Sequence, residues 1–245
     1  MTCQTGLRSL SVKYSPGYQI EWHEHSWSQF IYANAGAMTV AVGSDRWAVP
    51  PRRAIWVPAS QRHRISMHGS VYLRTVYLEC ELACCEDLPC AVFDVDSLLH
   101  ELVQHVCDRG IVRPENEDDV TLIRFFEQRL RTLKPIDAAL QMPSDPRARR
   151  FAERLLEDPG GDETLDALAV ACGTSLRTLQ RLFRDDVGLS VGRWRHRVRM
   201  LRAIEMLGRE EPVTQVALEL GFESVSAFIH SFKQTYGETP GRYRS

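Results

Sequence analysis

The 245-residue sequence lacks a long hydrophobic run, and it lacks a large excess of charge of either sign. No apolar stretch approaches the roughly 20 residues that a membrane-spanning helix needs. The first ten residues, MTCQTGLRSL, lack the basic-then-apolar order of a secretory signal. The formal net charge is only −2, so the charge of the whole chain indicates no polyanionic partner. We therefore expect a cytoplasmic, globular protein with two domains.

Cysteine motifs are missing as well. The chain has seven cysteines, an odd number, and no Cys-x-x-Cys pair. Four of them lie close together in the sequence, at Cys80, Cys84, Cys85 and Cys90. This spacing excludes a zinc ribbon and a thioredoxin-type motif. Because a reduced cysteine behaves as a small hydrophobe, we expect these residues to pack in a core.

Lysine is scarce, since 27 of the 30 basic side chains are arginine. One acid-free segment concentrates them, with Arg193, Arg195, Arg197, Arg199 and Arg202. Arginine suits bidentate contacts with phosphate and guanine. For Arg193, Arg195 and Arg199 the sequence leaves two interpretations open, a solvated helix face or contact with phosphates.

The spacing of apolar residues changes along the chain. Up to residue 78, short apolar or alternating runs are broken by turn residues, a rhythm typical of an antiparallel sandwich or barrel. The predicted strands are Gln19–Trp22, Gln29–Ala33, Met38–Val42, Arg46–Val49, Ala54–Val57, Arg64–Met67 and Val71–Leu78. After Pro89, intervals of three and four predict a hairpin of two amphipathic helices, around Leu98–Val106 and Val120–Leu130.

The second of these helices predicts a dimer interface. A helix that follows a barrel and precedes a linker has few other places to bury its apolar stripe. The stripe consists of Leu122, Ile123, Phe126 and Leu130. Downstream, Pro143-Ser144-Asp145-Pro146 cannot continue a helix. We therefore predict three regions: a barrel over residues 1–90, a helical dimerisation region with its linker over 91–142, and a helical domain over 143–245.

The last region contains an internal repeat. Phe183–Arg195 recurs 49 residues later as Phe232–Arg244, with the same placement of phenylalanine, glycine and arginine. Upstream, Leu168-Ala169 matches Val216-Ala217 at an offset of 48. The unit has therefore been duplicated, with one additional residue in the turn of the second copy.

Each copy has the pattern of a helix-turn-helix, in which the second helix enters the major groove of DNA. The first copy reads as Leu165–Ala171, a turn with Gly173, and Leu176–Arg184; the second reads as Val213–Leu220, a turn with Gly221, and Val225–Lys233. A helix over Val191–Gly208 separates them and spans about 27 Å at 1.5 Å per residue. Successive major-groove faces lie about 34 Å apart. One chain can therefore place both recognition helices in adjacent grooves.

Residues 147–245 resemble the DNA-binding domain of the AraC/XylS family of bacterial transcription regulators, and Val216–Arg244 fits the family signature nearly throughout. The resemblance implies that bases are read by Arg177, Gln180 and Arg181 in the first recognition helix and by Ser226, Ile229 and His230 in the second. It also implies promoter DNA and a small-molecule effector as partners, a homodimer, and contact with RNA polymerase. The N-terminal pattern resembles the branch of the family that controls adjacent exporter genes.

The N-terminal half resembles a cupin barrel, a jelly roll. His23-Glu-His25-Ser-Trp-Ser-Gln29, followed by Gly36, has the spacing of the first cupin motif, and Pro58–His63 has the shape of the second. Two residues apart on a strand, His23 and His25 point to one face. The resemblance implies His23, His25, Gln29 and His63 as a metal-ligand set, with Gln29 where glutamate is usual. Imidazole suits zinc, iron, nickel or copper, whereas a neutral amide is a poorer ligand than a carboxylate. A polar pocket for an organic effector is the alternative.

Two functions fit these patterns. The first is a one-component regulator of the α+β class, with a cupin-like sensor barrel, a helical hairpin and an all-α double helix-turn-helix domain. The second is a cupin metalloenzyme fused to a DNA-binding module. No second acid/base pair, nucleophile constellation or phosphate loop accompanies the histidines, and Gln29 lacks the charge of a catalytic carboxylate. The sequence therefore favours the regulator, which is not an enzyme.

Overall fold

The structure is a computed structural model that describes residues 6–78, 88–136 and 138–243. Packing divides the chain into two compact units, one formed by Met1–Gly43 with Trp47–Ala139 and the other by Ser44–Arg46 with Leu140–Ser245. Cys80, Cys84 and Cys85, and the last position of the repeat, Arg244, lie outside the described residues. Cys107 and Cys172 are buried thiols.

The strands of the described chain are short and mostly antiparallel. They are β1 (Leu7–Tyr14), β2 (Gln19–His23), β3 (Ser28–Ala33), β4 (Ala37–Val42), β5 (Asp45–Val49), β6 (Arg53–Val57), β7 (His63–His68), β8 (Val71–Leu78), β9 (Ala91–Asp94), β10 (Ile111–Val112), β11 (Pro135–Ile136) and β12 (Ala139–Leu140). All seven predicted strands are confirmed. β1 was not predicted, because the apolar residues of its sequence, LRSLSVKY, do not alternate strictly and Leu10 is exposed.

Two sheets face each other in the first unit. One has the order β10-β1-β8-β3-β6-β9-β11, and the other contains β5-β4-β7-β2 in that order. Between them lies an apolar cluster built from alternate residues of each strand, including Ile31, Ile55, Ile65 and Leu73. This arrangement confirms the predicted jelly-roll barrel.

Two helices follow the barrel, α1 (Ser97–Arg109) and α2 (Glu117–Thr132). Asp96 accepts the backbone N–H of Leu99 at the start of α1, and Asn116 accepts that of Asp119 at the start of α2. Both helices bury their apolar stripes against the outer face of the larger sheet, in a cluster that includes Phe30 and Trp56.

The predicted dimer interface is therefore wrong in its residues. Ile123, Phe126 and Leu130 are 4%, 0% and 1% exposed, and Leu122 packs against the same cluster. Phe126 meets Phe30 of β3 edge to face, with ring centroids 6.1 Å apart. Sequence periodicity shows that a helix has a stripe to bury, but it does not identify the surface that buries it. Here that surface is the sheet of the same chain.

The described residues of the second unit are almost entirely helical, as predicted. The helices are α3 (Pro146–Glu157), α4 (Leu165–Ala171), α5 (Leu176–Val187), α6 (Val191–Gly208), α7 (Val213–Glu219), α8 (Val225–Tyr236) and α9 (Pro240–Tyr243). Within the parts of the chain that the structure describes, no helix is long and apolar enough to span a membrane.

The two helix-turn-helix units are α4–α5 and α7–α8, and the offsets of 48 and 49 residues hold between their helices. Gly173 and Gly221 have φ values of 75° and 66°, in the region that favours glycine after a helix. Ser175 and Ser224 then accept the N–H groups of Thr178 and Ala227 at the starts of α5 and α8. The predicted glycine turns are confirmed.

Candidate functional site

Three histidines meet at one end of the barrel. His23 ends β2 and lies opposite His63, the first residue of β7, while His25 follows two residues after β2. The ring centroid of His63 lies 4.2 Å from that of His23 and 5.2 Å from that of His25. One nitrogen from each ring lies within 4.8 Å of the others, a spacing compatible with a shared metal ion. His63 is fully buried, and its burial lowers its pKa to about 4.

Backbone carbonyls fix the orientation of each ring. Nδ1 of His23 donates to the carbonyl of Glu21 at 2.8 Å, and Nδ1 of His63 donates to that of Gln61 at 2.8 Å. Nδ1 of His25 donates to the carbonyl of Trp27 at 2.6 Å. A carbonyl can only accept, so Nδ1 carries the hydrogen in each ring. In a neutral imidazole the lone pair is then on Nε2, the atom that would bind a metal.

Gln29 lies across from the histidines on β3, in the other sheet. Its side chain is buried, and its Oε1 lies 3.0 Å from Nε2 of His25 and 3.0 Å from Nε2 of His63. The structure therefore brings together all four residues of the predicted set. Since Gln29 is neutral, these donors would leave the full charge of a divalent cation uncompensated.

The wall around this cluster includes Thr75 and Tyr77, which the sequence did not single out. Thr75 of β8 accepts the Gln29 amide N–H at 2.9 Å. Tyr77, two residues further along β8, lies edge-on to His25 with centroids 5.4 Å apart, and burial raises its pKa. Trp27 meets Tyr77 at 6.0 Å. The alternation of β8 is the signal that could have found Thr75 and Tyr77, because residues two apart share a face.

The first recognition helix, α5, buries Leu179 and Phe183 and exposes its other side. Phe183 packs edge to face on Trp194 of α6, with centroids 5.5 Å apart. The exposed side carries Arg177, Gln180, Arg181 and Arg184. These polar residues lie outward as the sequence predicted.

The second recognition helix, α8, repeats this packing with Phe228 and Phe232. Ser226 and His230 are exposed, whereas Ile229 is half-buried. The exposed side of α8 is therefore less charged than that of α5, although the backbone plan is the same.

Two arginines of α6 make hydrogen bonds within the chain that the sequence did not predict. Nε of Arg195 and Nε of Arg199 both donate to the carbonyl of Pro159, at 3.2 and 3.0 Å, and Arg195 also donates to that of Gly161 at 3.0 Å. The Arg199 guanidinium lies over the Phe222 ring, 5.6 Å from its centroid. Burial lowers the pKa of Arg199. These two side chains hold a loop in place, and Arg193 remains exposed.

The loop that they hold lies between α3 and α4 and contacts the second helix-turn-helix unit. A Cβ on Gly160 would lie 1.9 Å from the carbonyl oxygen of Glu219, and a Cβ on Gly221 would lie 2.6 Å from that of Gly160. The backbone before α4 therefore touches the turn between α7 and α8 directly. The sequence does not reveal the hydrogen bonds of Arg195 and Arg199, because their acceptors are backbone carbonyls distant from both residues along the chain.

Comparison with known families assigns both halves of the chain. Residues 10–78 match the cupin domain, and residues 168–245 match the helix-turn-helix domain. The HTH-type transcriptional regulator NimR of Escherichia coli (strain K12) is 29% identical over 90% of this chain and 81% of its own length. The transcriptional activator NphR of a Rhodococcus species is 36% identical over 40% of this chain, but over only 29% of its own length.

Among solved structures, the chain is similar to a transcriptional regulator from Chromobacterium violaceum described as having an AraC-type DNA-binding domain. The two are 24% identical, with a TM-score of 0.39, over 41% of this chain and 91% of that one.

Proposed function

Because the chain is a transcriptional regulator of the AraC/XylS family, with a cupin domain followed by a helix-turn-helix domain, we propose that it reads promoter DNA with α5 and α8 and takes its effector at the histidine cluster of the barrel. Its relatives are named transcriptional regulators, so the chain is a regulator and not the cupin metalloenzyme of the alternative hypothesis.

The exposed side of α5 supports its role in reading bases. Arg177 and Arg181 lie one helical turn apart and point outward, and Gln180 lies beside them. Arginine binds the O6 and N7 acceptors of guanine, and glutamine binds the N6 and N7 groups of adenine. In α8 the matching candidates are Ser226, Ile229 and His230. Neither Arg195 nor Arg199 belongs to the DNA surface in this proposal, since both donate to backbone carbonyls.

We assign a divalent transition metal to the barrel. One observation carries this assignment: imidazole nitrogens of His23, His25 and His63 lie within 4.8 Å of one another, and the Gln29 carbonyl oxygen faces two of them. Three nitrogens and one oxygen form a donor set that suits zinc, iron, nickel or copper. Bound there, the ion would supply a positive charge that ties the two sheets together. His23 and His63 would hold it from one sheet and Gln29 from the other.

An organic effector is the second candidate for the same site. The rings of Trp27 and Tyr77 beside His25 favour it, because aromatic walls around a few polar groups are typical of small-molecule pockets. In that case the histidines would act as hydrogen-bonding groups rather than as ligands of an ion.

Elemental analysis of natively purified protein, combined with footprinting on the DNA upstream of its own gene, tests the proposal. We expect about one metal ion per chain, and we expect His63→Ala to remove it and to change promoter binding. His105→Ala is the matched control, because His105 is exposed on α1, outside the cluster. Fewer than about one ion per ten chains, with His63→Ala still unresponsive to an organic effector, would assign the site to that effector instead. Absence of any footprint would contradict the promoter-binding part.

Three further predictions accompany the proposal. A homodimer is expected, but it must use a surface other than the buried stripe of Ile123, Phe126 and Leu130. Contact with RNA polymerase and control of an adjacent exporter gene follow from the family resemblance and stay predictions.

A further inference from the structure

We infer that Thr75 is a positioning residue that turns the Gln29 amide oxygen toward the histidines and so makes the cluster selective for a cation. This inference rests on the proposed metal site and concerns a residue outside the predicted ligand set.

The hydrogen bonds of Thr75 determine which end of the amide faces the site. Both side chains are buried, with Gln29 2% and Thr75 0% exposed. The Thr75 hydroxyl donates to the backbone carbonyl of Phe30 at 3.2 Å. A hydroxyl has one hydrogen, so Oγ1 can only accept from Gln29, and the amide Nε2 donates to it at 2.9 Å. The amide oxygen must then point the other way, toward His25 and His63.

The histidines offer that oxygen no hydrogen. Backbone carbonyls already take the Nδ1 hydrogen of His25 and of His63. In their neutral forms, both rings therefore direct a lone pair at Gln29 Oε1 from 3.0 Å. Facing acceptors in a buried site repel one another unless a cation lies between them. The arrangement is thus suited to a metal ion, with Oε1 as a fourth donor.

The opposite amide orientation would suit a site without a metal. The Gln29 NH₂ group would then donate to Nε2 of both His25 and His63, which satisfies the lone pairs of these two rings. That orientation requires Thr75 to turn its hydroxyl from Phe30 to the amide oxygen. Thr75 therefore favours the orientation that suits a cation as long as its hydroxyl donates to the Phe30 carbonyl.

Replacing Thr75 by valine removes the acceptor while keeping the shape of the side chain. We expect Thr75→Val to free the amide and to weaken Zn²⁺ binding by about 10–100-fold, the usual effect of losing a group that orients a metal ligand. Thr75→Ser should keep an affinity within about three-fold of the unchanged protein. Thr39→Val is the matched control, because Thr39 is also buried in the barrel but bonds His68.

The Gln29→Glu background separates positioning from a general structural effect. A carboxylate presents oxygen in either orientation, so Thr75→Val should weaken Zn²⁺ binding by less than about three-fold in the Gln29→Glu background. Zn²⁺ affinity is measured on the full chain by chelator competition, and the visible spectrum of the Co²⁺-loaded protein reports the donor set. The Zn²⁺ binding and the Co²⁺ spectrum of His63→Ala are subtracted, because they report metal bound by cysteines and not by the histidine cluster. Should Thr75→Val fail to fold, Thr75→Ala replaces it.

Equal Zn²⁺ affinity in Thr75→Val and the unchanged protein would overturn the inference and leave the metal site standing. The inference would also be overturned if Thr75→Val lowered Zn²⁺ affinity equally in the Gln29 and Gln29→Glu backgrounds. If the unchanged protein binds no Zn²⁺ and no Co²⁺, the proposed metal site itself fails, and the inference fails with it.

Discussion

On its exposed side α5 carries three arginines, whereas the matching side of α8 carries one lysine. The positions correspond at an offset of 49, so that Arg177 matches Ser226, Arg181 matches His230 and Arg184 matches Lys233. The buried positions stay aromatic or aliphatic, with Leu179 matching Phe228 and Phe183 matching Phe232.

This difference shows what the duplication preserved. Packing constrains the buried face of each recognition helix, because a core tolerates only apolar side chains of suitable volume. The exposed face is free to diverge. If both helices enter DNA, the first supplies most of the electrostatic affinity, and the second contributes shape and apolar contact.

The largest expected effect comes from breaking the contact at Gly160 between the loop before α4 and the end of α7. Gly160→Ala would place a Cβ 1.9 Å from the carbonyl oxygen of Glu219, so the loop must shift. We expect the free energy of unfolding to fall by about 3 kcal/mol, the upper range for forced overpacking. Gly192→Ala in α6 is the control, since its Cβ meets no atom within 4 Å. Urea denaturation followed by helical circular dichroism checks both, and equal stabilities would contradict the direct contact.

The second prediction compares Arg181 with His230, which occupy the same place in the two recognition helices. Arg181→Ala should weaken specific promoter binding by about 1–3 kcal/mol and relax base preference at one position, as expected for loss of a bidentate guanine contact. His230→Ala should cost less. Quantitative footprinting at one salt concentration measures both. Wild-type affinity in Arg181→Ala would exclude a base contact by this residue.

A smaller effect should distinguish the first helices of the two copies. The Thr164 hydroxyl accepts the N–H of Ala167 at the start of α4, whereas Pro212 at the start of α7 provides no side-chain bond. Thr164→Ala should therefore lower the free energy of unfolding by about 1 kcal/mol. Pro212→Ala has no such bond to lose and should cost less. Urea denaturation measures both variants, and an unchanged stability of Thr164→Ala would mean that the Thr164 cap contributes nothing.

The smallest expected effect tests apolar contact by α8. Ile229 is half-buried and can contact only the methyl group of thymine. Replacing the relevant thymine by uracil removes that methyl and should reduce affinity by about four-fold, which corresponds to the roughly 0.8 kcal/mol of one buried carbon group. Ile229→Ala should bind the two duplexes equally well. A uracil effect that persists in Ile229→Ala would assign the methyl contact to another residue.

The helix-turn-helix units were predictable because their signals are local. The glycine turns, the Ser175 and Ser224 caps and the stripe of Leu179 and Phe183 all act within a few residues of one another. The strands of the barrel were predictable for the same reason, since alternation and turn residues are read within each run. The dimer stripe failed because the same periodicity fits a partner chain and the protein's own sheet.

The sequence alone therefore determined the two-part organisation, the duplicated unit and the side chains that face outward from α5, because each follows from periodicity, capping or repetition along the chain. The spacing along the sequence also identified His23, His25, Gln29 and His63 as a candidate site. Only the tertiary structure shows that Thr75 bonds Gln29 and that Arg195 and Arg199 bond the Pro159–Gly161 loop. It also shows that α2 packs its apolar stripe against the barrel. These are contacts between residues distant in sequence, and a backbone carbonyl that accepts a hydrogen bond leaves no mark on the sequence that supplies it.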